Sequence, residues 1–234
     1  MFDVHCHILP GIDDGSKDVQ MSLEMLKRES EQGIEGVVFT PHFYASHNSP
    51  EAFLRNRDEA LKKLEASLIA LPIMPKFIVG SEVHYFRGMS RSDALESLCF
   101  GNSSFILIEM PFREWQPVYI DEIEEISTVL GLKVIIAHIE RYFDQDKKLV
   151  KRLLDNPDLL IQCNAEFFID KRTSSKAVKF LKKGRIDLLG SDSHNLDDRR
   201  PNIAEAMEII KKHDRKDALD HINSLSQMVY NQAR

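Results

Sequence analysis

Short apolar runs recur along the chain, each followed by polar or ligand-type residues and then by a stretch of helical periodicity. The seven runs cover residues 2–5, 36–42, 76–82, 104–109, 133–138, 159–164 and 187–192. Their nearly unbroken apolar character is that of strands covered on both faces. Between them the pattern predicts amphipathic helices. The first spans about 18–32, with Val19, Leu23 and Leu26 on one face, Ser16 as its cap and Gly33 as its stop. Ser49 and Pro50 read as the cap and first residue of a helix to about Ala70, with Leu54, Leu61, Leu64, Leu68 and Leu71 on one stripe. Others are expected at about 92–98, 118–130, 146–155, 174–183, 203–212 and 215–229. Alternating strands and helices imply a parallel sheet, and seven such units fit a closed or nearly closed (β/α)7 barrel better than an open sheet. No glycine-rich dinucleotide or P-loop pattern marks a nucleotide-binding turn.

The chain has 234 residues, 43% hydrophobic and 29% charged, enough for one sizeable core. No apolar run nears the roughly 18 residues of a membrane span, so membrane insertion is not expected. The net charge of −6 argues against a nucleic-acid partner. The three cysteines (Cys6, Cys99, Cys163) form no C-x-x-C pair. Reduced thiols and the absence of a signal-peptide pattern suggest the cytoplasm. A cysteine phosphatase needs C-x5-R, but Ile12, Phe105 and Ile169 stand where that arginine would be.

In a parallel barrel the C-terminal strand ends share one face, where active sites sit. Those ends carry His5 and His7 with Asp14 beyond, His42, Glu82, Glu109, His138, and Asp192 with His194. His5 and His7 are two apart and share a face, with Cys6 turned away. Singly, each is an ordinary loop residue. Together, nine nitrogen and oxygen donors at one mouth would repel one another without cations, so a site for several divalent metals is expected. Imidazole with carboxylate suits Mn²⁺, Fe²⁺ or Zn²⁺, and four carboxylates favour Mn²⁺. Arg141, three residues beyond His138, and Arg199 lie near the same mouth, with Arg200 and the acids Asp197 and Asp198 close by.

Phe2-Asp-Val-His-Cys-His-Ile-Leu-Pro-Gly-Ile-Asp-Asp-Gly15, Thr40-Pro-His42, Gly80-Ser-Glu82, Ile108-Glu109, Ala137-His138-Ile-Glu-Arg141 and Gly190-Ser-Asp-Ser-His194 resemble the PHP (polymerase and histidinol phosphatase) family. They look most like its bacterial metal-dependent protein-tyrosine phosphatases of capsule and exopolysaccharide systems. The resemblance implies one PHP-type domain over 1–234, a distorted (β/α)7 TIM-like barrel holding three metals. His5, His7, Glu82 and Asp192 would hold the first. Glu82 would bridge to the second, completed by Glu109 and His138. Asp14, His42 and His194 would hold the third. The implied reaction is phosphotyrosine hydrolysis by a metal-activated hydroxide, with Arg141 first and Arg199 second as the candidate phosphate-binding groups. The implied partner is a phosphotyrosine protein, the C-terminal tail of a bacterial tyrosine kinase. An oligomer is compatible with the sequence. A small-molecule phosphatase such as histidinol-phosphate phosphatase is the alternative, ahead of a nuclease or a metal-stabilised scaffold without turnover.

Overall fold

A computed structural model describes residues 1–68, 74–213 and 215–234, and every apolar run forms strand there. The strands are β1 (Phe2–Cys6), β2 (Gly36–Phe39), β3 (His42–Phe43), β4 (Lys76–Val79), β5 (Glu82–His84), β6 (Phe105–Glu109), β7 (Lys133–Ile136), β8 (Leu160–Asn164) and β9 (Leu188–Gly190). All pair in parallel, in the orders β1-β2-β4 and β3-β5-β6-β7-β8-β9. The second and third runs are each broken by a two-residue step, at Thr40-Pro41 and Gly80-Ser81. Pro41 has no N–H to give to a ladder. Gly80 N donates to Phe39 O (2.8 Å) and Glu82 N to Pro41 O (3.0 Å), so the pairing continues across the steps. The seven runs therefore curl into the distorted barrel. Its first and last members are joined where Asp192 N donates to His5 O and His7 N to Ser193 O, both at 2.8 Å.

Among the described residues the helices are α1 (Val19–Glu31), α2 (Pro50–Leu68), α3 (Ala94–Ser97), α4 (Pro117–Glu125), α5 (Lys147–Asp155), α6 (Glu166–Ile169), α7 (Ser174–Leu181), α8 (Ile203–Lys212) and α9 (Lys216–Ala233). The expected end of the second helix at Ala70, and Leu71 of its stripe, lie outside the described residues. Ser49 Oγ accepts from Ala52 N, the capping its position predicts. Gly33 has φ +75°, as a left-handed stop requires. Helix α4 continues as a wider turn over Ile126–Leu130, reaching the end expected from the sequence.

Two expectations for α1 change. Its cap is Asp18, whose carboxylate accepts from Met21 N. Ser16 lies too far upstream; it is buried and bonds to Ser22 and to Asp18 O instead. The buried stripe is Ser22, Met25, Leu26 and Glu29, with Val19 and Leu23 at its edge. The rotation follows from polar partners beneath the helix. Ser22 Oγ donates to Ile8 O at 2.6 Å, and Glu29 faces the buried Asp3 of β1.

The barrel interior is sealed at one end only. Phe2, Val4, Val38, Ile78, Leu107, Ile135 and Leu188 fill it, and Val229, Tyr230 and Ala233 of α9 pack beneath them. Phe2 and Tyr230 lie 4.8 Å apart between ring centroids. The opposite end, at the strand C-termini, is polar. Within β1, Phe2 and Val4 join this inner cluster while Cys6 joins the outer one, so strict alternation would turn His5 outward. A bulge between Asp3 and Cys6 resets the phase. Asp3 holds that segment: its carboxylate accepts from His5 N and Ser191 N (each 3.0 Å) and from Ser191 Oγ.

Glu29 is fully buried, and desolvation together with the Asp3 carboxyl raises it well above the ordinary 4.5. An acid held protonated in the fold opposes folding increasingly as pH rises above its unfolded pKa. Glu29→Gln should therefore raise the melting temperature by an amount that grows above pH 4.5. A pH series of thermal melts checks this; a gain independent of pH would contradict it.

Candidate metal centre

Each strand end delivers its residue to the polar mouth, and the nine ligand-type side chains meet there. His5 Nε2 lies 3.2 Å from both His7 Nε2 and Glu82 Oε2, and 3.6 Å from Asp192 Oδ1. His7 Nε2 is 3.3 Å from Glu82 and 3.5 Å from Asp192. His138 Nε2 lies 2.9 Å from Glu82 Oε1 and 3.6 Å from Glu109 Oε1. Asp14 Oδ1 sits 3.5 Å from His42 and 3.4 Å from His194. His42 reaches Glu82 Oε2 with its other nitrogen at 3.0 Å. Three sets have ligand atoms within 4.8 Å of one another: His7, Asp14, His42 and His194; His5, His7 and Asp192; His42, Glu82 and Glu109.

The donor set fits cations. Except for the mostly buried His42, 12% exposed, and the exposed Asp14 these side chains are almost wholly buried, and Glu82 Oε2, His42 Nδ1, His138 Nδ1 and His194 Nε2 make no hydrogen bond. Buried polar atoms left without partners are costly. Backbone strain gathers at the same place. His138 (φ +29°) and Asp192 (φ +51°) are the non-glycine residues with positive φ among the described residues. Such conformations cost about 1–3 kcal/mol each and persist only where surrounding contacts impose them.

A second ring of side chains, not anticipated from the sequence, orients the first. Asp13 Oδ2 accepts from His7 Nδ1 (2.8 Å) and from His42 N (3.0 Å). His84 Nδ1 lies 2.8 Å from Glu109 Oε2. Gln162 Oε1 accepts from His138 N (2.7 Å) and lies 3.3 Å from His5 Nδ1. Gln162 Nε2 donates to Asn164, whose amide donates to Asp192 Oδ2 at 2.7 Å. Such partners fix the tautomer and aim of ligating groups. A Cβ on Gly190 would stand 2.5 Å from His5 Cβ, so only glycine lets β9 approach this closely.

The electrostatics are those of mutual neutralisation. Burial pushes Glu82 up, but the nearby His5 and His42 imidazoles and the hydrogen bond from His138 outweigh it and hold the carboxyl well below its usual range. Glu109 sits at about 2, where the nearby His138 and the hydrogen bond with His84 overcome burial. Asp192, against burial, is lowered by His5, Arg141 and His138, and Asp14 by the His194 imidazole 3.4 Å away. Burial lowers His7, but Asp13 and Glu82 lift it to about 10; His138 is lifted likewise to about 9 by Glu109 and Glu82.

Both candidate arginines lie at the rim. Arg141 donates to Asp192 Oδ2 (2.5 Å), and Arg199 to Asp192 Oδ1 (3.0 Å) with Asp14 at 3.6 Å. Each is about one-third exposed, at 35% and 34%. Arg200 turns away to Glu205. Asp197 and Asp198 are exposed in the turn organised by Asn195, outside the cluster.

A family model for capsular polysaccharide synthesis proteins, CpsB/CapC, matches residues 1–228. The tyrosine-protein phosphatase CpsB of Streptococcus pneumoniae is 31% identical over 234 aligned positions, covering 91% of this chain and 90% of the relative. Its Streptococcus agalactiae namesake is 30% identical, covering 90% and 89%. Tyrosine-protein phosphatase YwqE of Bacillus subtilis is 28% identical, covering 91% and 84%. A solved structure from work on YwqE of Bacillus subtilis and CpsB of Streptococcus pneumoniae, described as unique metal-dependent tyrosine phosphatases, aligns over 99% of this chain and 95% of its own. The TM-score is 0.84 at 25% identity. A β-aspartyl dipeptidase from Fervidobacterium islandicum shares the fold alone, with a TM-score of 0.58 at 13% identity.

His7 and His138, at about 10 and 9, carry protons at neutral pH that a bound cation must displace. Their contribution to the metal-free fold is complete below pH 6.5 and is lost as pH rises toward 9 to 10. The rise in melting temperature on adding Mn²⁺ to chelator-treated protein should therefore grow as pH increases from 6 to 9. Thermal melts across that range test it, and a metal-induced rise independent of pH would contradict it.

Proposed function

Because this chain belongs to the CpsB/CapC family of capsular polysaccharide synthesis proteins, we propose that it is a metal-dependent protein-tyrosine phosphatase. The observation that carries the reading is the convergence of nine nitrogen and oxygen donors at one barrel mouth with Arg141 and Arg199 at its rim. His5, His7, Glu82 and Asp192 would hold one cation, Glu82, Glu109 and His138 a second, and Asp14, His42 and His194 a third. Manganese is the proposed metal, from the share of carboxylates. When bound, such cations lower the pKa of water and neutralise phosphoryl oxygens.

The chain's own residues supply the rest. Arg141 and Arg199 now spend their donors on Asp192 and Asp14. With cations neutralising those carboxylates, the guanidinium groups are free to bind phosphoryl oxygens in pairs of hydrogen bonds. Asp13 and Gln162 hold the Nδ1 protons of His7 and His5, which leaves each Nε2 aimed at the centre. Asp13, Asp14, Glu82, Glu109 and Asp192 are all lowered, so none of them is protonated to act as an acid. That favours an aryl leaving group. A phenol has a pKa of about 10 and departs with less acid assistance than an alkoxide.

The proposed partner is accordingly a phosphotyrosine protein, taken as the C-terminal tail of a bacterial tyrosine kinase of capsule or exopolysaccharide synthesis. No helix among the described residues is long and apolar enough to cross a membrane, and we place the protein in the cytoplasm, acting through one domain that spans the chain.

Steady-state kinetics with Mn²⁺ should give a higher kcat/KM for a phosphotyrosyl peptide than for histidinol phosphate. Arg141→Ala should lower the peptide value roughly a hundredfold, the effect typical of removing one donor to developing charge, and His42→Ala should lower it too. An inert metal-loaded enzyme, or a His42→Ala variant indistinguishable from wild type, would refute the reading.

A further inference from the structure

One aromatic at the metal mouth is unaccounted for by packing. Phe112 is 57% exposed. Val129, the other large exposed apolar side chain among the described residues, sits on the turn before β7 at the far end of the barrel. The Phe112 ring lies 6.3 Å from the His138 imidazole, with 18° between their planes, and 5.7 Å from the buried Tyr142. It follows Glu109 by three residues, so the loop that presents it begins at a proposed metal ligand.

That loop is fixed rather than loose. Met110 and Pro111 before the ring and Trp115 after it are buried. Trp115 Nε1 donates to Pro111 O at 2.8 Å, and Trp115 N to Gln145 Oε1 at 2.9 Å. Gln145 Nε2 in turn donates to Arg113 O at 3.4 Å. The Trp115 ring rests on Tyr142, with centroids 5.1 Å apart. A large apolar ring that a braced loop holds at the rim of the centre offers a fixed stacking face to a ligand bound there. The second aromatic at the mouth, Tyr44, is already engaged: its ring lies 5.2 Å from both His42 and His84.

We propose that Phe112 is a specificity-determining residue that stacks against the phenyl ring of the phosphotyrosyl substrate while Arg141 and Arg199 take its phosphoryl group. The inference rests on the phosphatase reading above and adds the feature that prefers an aryl ester. Arg141 and Tyr142 lie on the same short turn, Ile139–Tyr142, so the phosphate-binding group and the support for Phe112 are set by one piece of backbone. Aromatic rings pair at centroid separations of about 4.5–7 Å, within reach for a ring whose ester oxygen lies beside His138.

Calorimetry on Mn²⁺-loaded protein, titrated with phenylphosphonate and with methylphosphonate, reads the effect without turnover. Wild type should bind the phenyl compound more tightly. Phe112→Ala should reduce the ratio of the two affinities roughly three- to tenfold, and Phe112→Tyr should keep it. An unchanged ratio in Phe112→Ala, or equal weakening of both anions, would overturn the role of Phe112 and leave the phosphatase reading standing. Failure of both anions to bind loaded wild type would bring down the phosphatase reading, and with it this inference.

Discussion

Charge crowding at one end of the barrel is the constraint on which the rest depends. Glu82, Glu109 and Asp192 are buried among five imidazoles, and Asp14 closes over them. Two like charges about 4 Å apart repel by roughly 4 kcal/mol at an effective dielectric constant near 20. Without cations the cluster survives by borrowing positive charge: protons on His7 and His138, and the guanidinium groups of Arg141 and Arg199. On the proposed reading those borrowed charges become available once metal is present, and neutralisation and phosphate recognition are two uses of the same arginines.

The fold is polarised to bear this load. Apolar side chains and α9 close one end, so the barrel needs no polar group there. At the other end the backbone bends to bring donors inward. The bulge in β1 turns His5 into the mouth, and His138 and Asp192 accept left-handed conformations beyond the ends of β7 and β9. Asp3 ties the bulged segment to Ser191, and the hydrogen bonds between His5, His7, Asp192 and Ser193 join first strand to last. The contacts that close the barrel and those that assemble the centre are largely the same contacts. Cation binding and the stability of this seam should therefore be coupled.

Much of this was legible from the chain. Seven apolar runs marked seven strand positions, and the ligand-type residues at their ends marked the mouth. The local devices were less so. Periodicity cannot show a bulge, and the steps at Pro41 and Gly80 read as continuous strand. Ser22 and Glu29 occupy the buried stripe of α1 because Ile8 O and Asp3 lie beneath them, which only tertiary structure reveals. The supporting ring had faint signals that were open to reading. His84 stands two residues after Glu82 on a strand, hence on the same face. Gln162 and Asn164 alternate through an apolar run, and polar residues in such a place need partners. Asp13 was hidden by its neighbour Asp14, since nothing in the doublet says which carboxylate turns inward. Phe112 lies between an apolar run and a helix, and only its exposure singles it out.

Nine such donors at one mouth are expected to hold divalent cations together. Anomalous diffraction from crystals grown with Mn²⁺, collected at the manganese edge, would locate them. Three peaks are expected, enclosed by His5, His7, Asp14, His42, Glu82, Glu109, His138, Asp192 and His194. A mouth without anomalous density in manganese-loaded crystals, or peaks confined to other parts of the surface, would contradict that expectation.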